Sequence, residues 1–321
     1  EKAMRLSLLR NRGDGTFEDV TVAAGLAEPI SSESAAWGDY DNDGWIDVFV
    51  CGEYQPPKGH AHNARPNPHN RCRLYHNEGN GTFRDVAEQA GVTAELCSKG
   101  SAWGDYDDDG LPDLYVSNLI GPCRLYHNEG RGTFRDVVAE LGVTGTEASF
   151  PVWFWDFDND GRLDLSVNEN FYSLGETVAT YTGVATRRTS RPRLYRNLGP
   201  DGFRDVVREV GLDRALTPMG CNFGDIDNDG FLDIYVGTGD MSFEFLVPNV
   251  MFKNIEGKRF EDVTLPSGTG HLQKGHGVSF ADYDDDGDLD FFVELGGAVP
   301  GDRSHNALFR NPLQGRHWLK L

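Results

Sequence analysis

One nine-residue phrase, D-x-D-x-D-G-x-x-D, occurs five times along this 321-residue chain and limits what the chain can fold into. Its acidic sets are Asp39/Asp41/Asp43/Asp47, Asp105/Asp107/Asp109/Asp113, Asp156/Asp158/Asp160/Asp164, Asp225/Asp227/Asp229/Asp233 and Asp282/Asp284/Asp286/Asp290. Four carboxylates at positions one, three, five and nine of a tight loop repel one another, and a hard dication removes that penalty. An all-oxygen set without His or Cys suits Ca2+. The glycine at position six permits a sharp reversal with positive φ. Position seven holds Trp45, Leu111, Arg162, Phe231 and Asp288, with no shared side-chain chemistry, as expected of a residue that lends only its backbone carbonyl. A metal-free Asx turn uses the same residue types. Five loops with the same four acids favour metal, and about five structural Ca2+ ions are expected.

An EF-hand would need a helix and a glutamate at position twelve after each loop. The chain instead continues as W-I-D-V-F-V, L-P-D-L-Y-V, F-L-D-I-Y-V and D-L-D-F-F-V. These short β-branched and aromatic runs read as strands with both faces apolar. Each loop therefore joins two strands.

A second phrase alternates with the first. RLYHNEGNGTFRDV (73–86) returns at 124–137, 193–206 and 251–263, with a further copy, LLRNRGDGTFEDV, at 8–20 and the start of another, LFRNP, at 308–312. Each reads as strand, Asn/Gly turn, strand: a β-hairpin. One repeat is thus strand, acidic loop, strand, connection, strand, tight turn, strand. Stretches such as DVAEQAGV (85–92) predict one helical turn leading to the next repeat.

Tandem four-stranded antiparallel units with doubly apolar strands predict an all-β propeller rather than a parallel β-solenoid. The expected arrangement is one domain over 1–321, with a half blade at 1–20 and repeats at 33–86, 99–137, 149–206, 219–263 and 276–321. That gives five calcium-loop blades plus an extra N-terminal hairpin, for a total of five to seven.

The formal charge is −21, and twenty of the acids are the loop aspartates. The acidity argues against nucleic acid and anionic membrane surfaces as partners. No apolar run approaches a membrane span. The start at Glu1 reads as a processed or truncated product. Among five cysteines, Cys51 ends one strand and Cys72 begins the next, so a Cys51–Cys72 disulfide is expected across the hairpin. Loops of this kind need more free Ca2+ than a resting cytosol offers, which predicts an extracytoplasmic location (secreted, periplasmic or cell-surface).

These repeats resemble the FG-GAP/VCBS class of calcium-binding propeller repeats over essentially the whole chain. VELGGAVPGDRSHNALFRNP followed by HWLKL resembles the end of the propeller in ASPIC/UnbV-type (cartilage acidic protein-like) proteins. In that family a W-L-x-L strand opens a further C-terminal domain, which the resemblance places after Leu321. The resemblance implies Ca2+ and is nearly silent on biological role.

In such a blade the acidic loop and the tight turn share one end, and the connections from second to third strand emerge at the other. The chain spends its variable residues there, at 51–71, 117–122, 168–191, 237–249 and 294–306. Unequal insertions on a regular scaffold make a binding surface, or else drift as solvated loops. Candidate ligand-face residues are Glu53, Tyr54, His60, His62, His69, Glu169, Arg187, Arg188 and Glu294. The histidines suit zinc or copper, or belong to a proline-rich polar loop. The arginines suit an acidic glycan or a carboxylate of a partner, or lie on a solvated basic loop. No GxSxG, HExxH, P-loop or CxxC motif is present. The favoured reading is a calcium-stabilised extracellular module for protein or glycan interaction. The alternative is a propeller enzyme, a glycan lyase or hydrolase, with its site among the insertions.

Overall fold

The structure, a computed structural model, describes residues 4–32, 34–53, 70–94, 96–170, 172–184, 190–239, 247–296 and 304–312. The fold is all-β, built from the antiparallel blades of a β-propeller. Four sheets have four strands each. They are β5 (Ala35–Gly38), β6 (Asp47–Val50), β7 (Arg73–Asn77) and β8 (Phe83–Asp85) in blade one, and β9 (Cys97–Gly104), β10 (Asp113–Ile120), β11 (Arg124–Asn128) and β12 (Phe134–Asp136) in blade two. Blade three has β13 (Ser149–Trp155), β14 (Asp164–Glu169), β15 (Arg193–Asn197) and β16 (Phe203–Asp205). Blade four has β17 (Pro218–Gly224), β18 (Asp233–Thr238), β19 (Val250–Ile255) and β20 (Arg259–Asp262). Three strands of blade five lie among the described residues: β21 (Gly275–Ala281), β22 (Asp290–Leu295) and β23 (Ala307–Phe309). The expected extra hairpin is present as β2 (Leu9–Asn11) with β3 (Phe17–Asp19), and β1 (Met4–Arg5) pairs with β4 (Pro29–Ile30).

The chain divides into two compact units, Glu1–Phe154 with Gly199–Phe203, and Trp155–Leu198 with Arg204–Leu321. In the first unit, β6 is buried along its whole length, as a strand with two apolar faces must be. Phe49 and Leu74 of blade one pack with Leu114, Val116 and Tyr126 of blade two, against Trp103 and Phe134. A glycine precedes three of the five acidic loops, in W-G-D at Gly38 and Gly104 and in F-G-D at Gly224, and each lies against an aromatic ring of the next blade. A Cβ on Gly38 would lie 2.8 Å from Cδ1 of Trp103, so only glycine lets the next blade's indole seat there. In the second unit, Tyr235 and Met251 of blade four pack with Val278, Phe291 and Val293 of blade five. Gly224 meets Phe280 there as Gly38 meets Trp103, at 3.0 Å.

The outer hairpin of a blade is tied by its own sequence. In blade one Arg73 reaches Asp85 at 2.6 Å, in blade two Arg124 reaches Asp136 at 3.0 Å, and in blade three Arg193 reaches Asp205 at 2.7 Å. The predicted helical turn after blade one is α1 (Ala87–Ala90). A longer helix that the sequence reading did not foresee, α2 (Leu174–Thr182), occupies the third insertion. It starts at a capping box, with Ser173 accepting from the Glu176 N–H at 3.2 Å and Glu176 accepting from the Ser173 N–H at 2.7 Å. A one-turn helix, α3 (Thr264–Ser267), follows blade four.

The asparagine that ends the third strand joins neighbouring blades. Asn128 Nδ2 donates to the carbonyl of Tyr40 in the preceding blade at 2.7 Å and to Pro112 in its own at 3.0 Å. Asn311 does the same in the second unit, toward Ile226 at 2.6 Å and Leu289 at 3.3 Å. Asn77 in the first blade reaches only the carbonyl of Ile46, at an exposed position. Truncating Asn128 strands two carbonyls, one of them buried, so Asn128→Ala should lower unfolding stability by about 2–4 kcal/mol. Asn77→Ala should cost about 1 kcal/mol or less. Equal losses in urea titration would show that the bond between blades carries no weight.

Candidate metal centre

Each acidic loop is shaped first by its own aspartates. In loop one Asp39 accepts from the N–H of Asp43 at 3.1 Å and of Gly44 at 2.9 Å, and Asp43 accepts from the N–H of Trp45 at 2.8 Å. The other four loops repeat both features, from Asp105, Asp156, Asp225 and Asp282 at position one and Asp109, Asp160, Asp229 and Asp286 at position five. The fourth position (Asn42, Asp108, Asn159, Asn228, Asp285) has φ of 55° to 59°, and the sixth-position glycine has φ of 87° to 93°. Asparagine and aspartate tolerate the first of these conformations, and the second is best met by glycine.

The ninth-position aspartate ties the loop to the rest of its blade. Asp47, Asp113, Asp164, Asp233 and Asp290 are 0–1% exposed. One oxygen accepts the N–H of the hairpin asparagine at 2.7–2.8 Å, from Asn77, Asn128, Asn197, Asn254 and Asn311 in turn. The other accepts the second-position N–H at 2.9–3.3 Å. Loop and tight turn thus share one end of each blade.

The third-position aspartate faces the other loop carboxylates. In loop one the carboxylates of Asp39, Asp41 and Asp47 offer oxygens within 4.8 Å of one another, and Asp156, Asp158 and Asp164 do so in loop three. Asp41 Oδ1 and Asp158 Oδ1 are buried without a hydrogen bond, while Asp158 Oδ2 is paired with Arg196. Burial first, then the neighbouring Asp43, pushes the Asp41 carboxyl above its ordinary range, and Asp107 is raised in the same way beside Asp109. Burial pushes Asp164 and Asp233 up to about 7 despite the backbone N–H groups that favour the anion. Convergent oxygens, orphaned buried oxygen atoms and carboxylates driven toward neutrality are what a hard dication relieves. The residues fit Ca2+. Asp39, Asp41, Asp43 and Asp47 and their counterparts would hold it, with the carbonyls of Trp45, Leu111, Arg162, Phe231 and Asp288 as the further expected donors.

Two features of the loops escaped the sequence reading. The fourth-position asparagine reaches the next blade: Asn42 Nδ2 donates to the carbonyl of Gly110 at 2.7 Å, and Asn159 to that of Gly230 at 2.8 Å. The residue before the hairpin asparagine is basic or imidazole in all five blades (His76, His127, Arg196, Lys253, Arg310); it faces the third-position carboxylate in each, with the fifth as well except in blade two, where His127 meets the ninth-position Asp113. The phrase Y-[H/R]-N, with M-F-K-N and L-F-R-N, carried that signal.

The insertion residues are less gathered. Tyr54, His60, His62, His69, Arg187 and Arg188 lie outside the described residues. Glu53 is buried and held by Lys99 at 2.6 Å. Glu169 is buried and accepts from the Ser190 hydroxyl. Glu294 is exposed, on β22. The Cys51–Cys72 disulfide is corrected: both thiols are free and buried. Cys72 Sγ instead donates to Ser98 Oγ at 3.3 Å and accepts the Gly52 N–H at 3.4 Å. Among the described residues no helix is long and apolar enough to cross a membrane.

Acidic loop, buried ninth aspartate and asparagine hairpin, repeated blade by blade, define a propeller of acidic-loop repeats. The profile of the FG-GAP-like repeat family matches residues 3–50, 64–116, 105–167 and 182–236, more than half of the chain, which therefore belongs to that family. Cartilage acidic protein 1 of Mus musculus is 29% identical over 238 residues, covering 72% of this chain and 32% of the relative. The Homo sapiens protein is 28% identical over the same shares, and the Xenopus tropicalis protein 26% identical over 77% and 34%. The chain thus spans about a third of the length of these relatives. Two solved structures are similar at lower level. One is an Agrocybe aegerita lectin specific for non-reducing terminal N-acetylglucosamine (TM-score 0.48, 13% identity, 97% of this chain and 75% of that one). The other is the V. cholerae biofilm matrix protein Bap1 (TM-score 0.44, 10% identity, 96% and 68%).

The raised carboxylates fix the sign of a pH effect. Their pKa in the metal-free fold exceeds the value of 3.8 for a free Asp, so their contribution to stability is present near pH 4 and is lost as pH rises through about 7. In excess EGTA the melting temperature should therefore fall between pH 4 and pH 7. With millimolar Ca2+ the decline should vanish, because the ion binds the ionised loop. A chelated protein that grows more stable over that interval would contradict the assignment.

Proposed function

We propose that the chain is a Ca2+-stabilised extracellular propeller that binds a protein or glycan partner through its second-to-third-strand connections, with Ca2+ structural and remote from the partner. The observation that carries this reading is the sameness of the five loops beside the difference of the connections. Every loop repeats the same backbone hydrogen bonds from its first-, fifth- and ninth-position aspartates, so no loop is set apart for chemistry. Specificity has to come from what differs.

Helix α2 supports the reading most directly. Leu174, Val178 and Tyr181, at helical spacing, are 43–51% exposed, and Val184 just beyond is 64% exposed. Exposed apolar side chains in a row along one helix are the ordinary mark of a protein-contacting face. The two buried glutamates favour interaction over catalysis, since Glu53 and Glu169 are engaged by Lys99 and Ser190 rather than presented to a substrate. The relatives are named for cartilage, an extracellular tissue, and are called acidic, as this chain is at −21. Both facts support an extracytoplasmic setting with free Ca2+.

Two variants separate the connections from the loops. Leu174→Asp with Val178→Asp should abolish retention of matrix-extract proteins or glycan-array binding, and leave the melting temperature within a few degrees. Asp105→Ala should lower the melting temperature in Ca2+ well beyond the effect of Glu88→Ala, because it leaves three carboxylates around a weakened site. If the α2 variant still binds, or an Asp→Asn change in one loop removes binding without lowering stability, the wrong part of the blade has been assigned.

A further inference from the structure

The basic residue beside each loop is not the same in all five. In loop one His76 Nδ1 lies 3.3 Å from Asp47 Oδ1 and 3.5 Å from Asp41 Oδ2. In loop two His127 Nδ1 lies 3.1 Å from Asp113 Oδ1 and 3.5 Å from Asp107 Oδ2. Asp41 and Asp43 with His76, and Asp107 and Asp113 with His127, offer ligand atoms within 4.8 Å of one another. In loop three Arg196 Nη2 sits 2.5 Å from Asp158 Oδ2 and 3.8 Å from Asp160 Oδ2, and the Asp158 side chain is only 6% exposed. In loop four Lys253 Nζ pairs with Asp227 and lies 3.4 Å from Asp229 Oδ2. In loop five Arg310 lies 2.8 Å from Asp284 Oδ2 and 3.5 Å from Asp286 Oδ2.

We propose that this residue sorts the five loops into two classes of divalent-cation site. Loops one and two, flanked by His76 and His127, bind the ion tightly. Loops three to five, flanked by Arg196, Lys253 and Arg310, bind it weakly, because a permanent charge of the chain already occupies their third- and fifth-position carboxylates. An imidazole can sit beside a dication uncharged and even turn a nitrogen lone pair toward it, whereas guanidinium and ammonium groups have no acceptor and repel it. The same cations soften carboxylate repulsion when the ion is gone, so loops three to five depend less on it. Loop three carries a second cation, Arg162, on Asp160. Loop five carries two extra acids, Asp285 and Asp288, which place it as the tightest of the weak class.

The inference rests on reading the loops as Ca2+ sites, and calorimetry tests the two separately. Titrating chelator-treated protein with CaCl2 should show two tight sites and a second class roughly tenfold or more weaker. His127→Arg should reduce the tight sites from two to one, and Lys253→His should raise them from two to three. His76→Lys and Arg310→His, the latter at an exposed side chain, repeat the test where a first variant fails to fold by circular dichroism. Five sites of equal affinity, or tight-site counts that no exchange alters, overturn the sorting alone. Absence of any binding heat, with no ion retained in native mass spectrometry, overturns the Ca2+ reading beneath it.

Discussion

The buried ninth-position aspartate is the interaction on which each blade depends. It is almost fully enclosed, yet both of its oxygens are used by backbone N–H groups, one from the loop and one from the end of the third strand. A buried carboxylate satisfied in this way fixes the loop, the inner strand pair and the outer hairpin in one geometry. In blades two, four and five the hairpin asparagine continues the chain of bonds, because its side chain reaches a carbonyl of the preceding blade. Local loop chemistry is thereby converted into the stacking of one blade on the next.

That arrangement explains why so much negative charge is tolerable. The first- and fifth-position carboxylates are spent on the loop's own N–H groups, and the third faces a basic or imidazole side chain from the third strand. A divalent ion and a side-chain cation are two solutions to the same repulsion. With the loops committed to holding blades together, the connections at the other end of each blade are free to vary. The chain has placed a helix with an exposed apolar row in one of them.

The match spans about a third of the length of these relatives, so the activity of the whole protein belongs to proposal rather than to homology. What the family membership does establish is the repeat, and the repeat is where the shared physics lies. The proposed reading assigns specificity to connections such as 168–191, where neither strand period nor loop motif applies.

The sequence by itself determined the strands, the acidic loops and the hairpins, because each is set by residues within a few positions: alternating or continuous apolar runs, glycine and asparagine at positive φ, aspartates two apart. Even α2 was legible locally, in the Ser173–Glu176 capping box, although the surrounding polar loop hid it. The tertiary structure decided what depended on distant partners. Asn128 meeting Tyr40, Asn42 meeting Gly110 and Gly38 yielding to Trp103 all cross from blade to blade, over separations no local pattern encodes. The Cys51–Cys72 pairing failed for the same reason: facing strand ends are necessary for a disulfide, but packing placed Ser98 and the Gly52 N–H against Cys72. Glu53, a candidate ligand-face residue by sequence, is instead held by Lys99 from the next blade's first strand. Composition could list the charges of this chain; only the packing of blades could say which of them face each other.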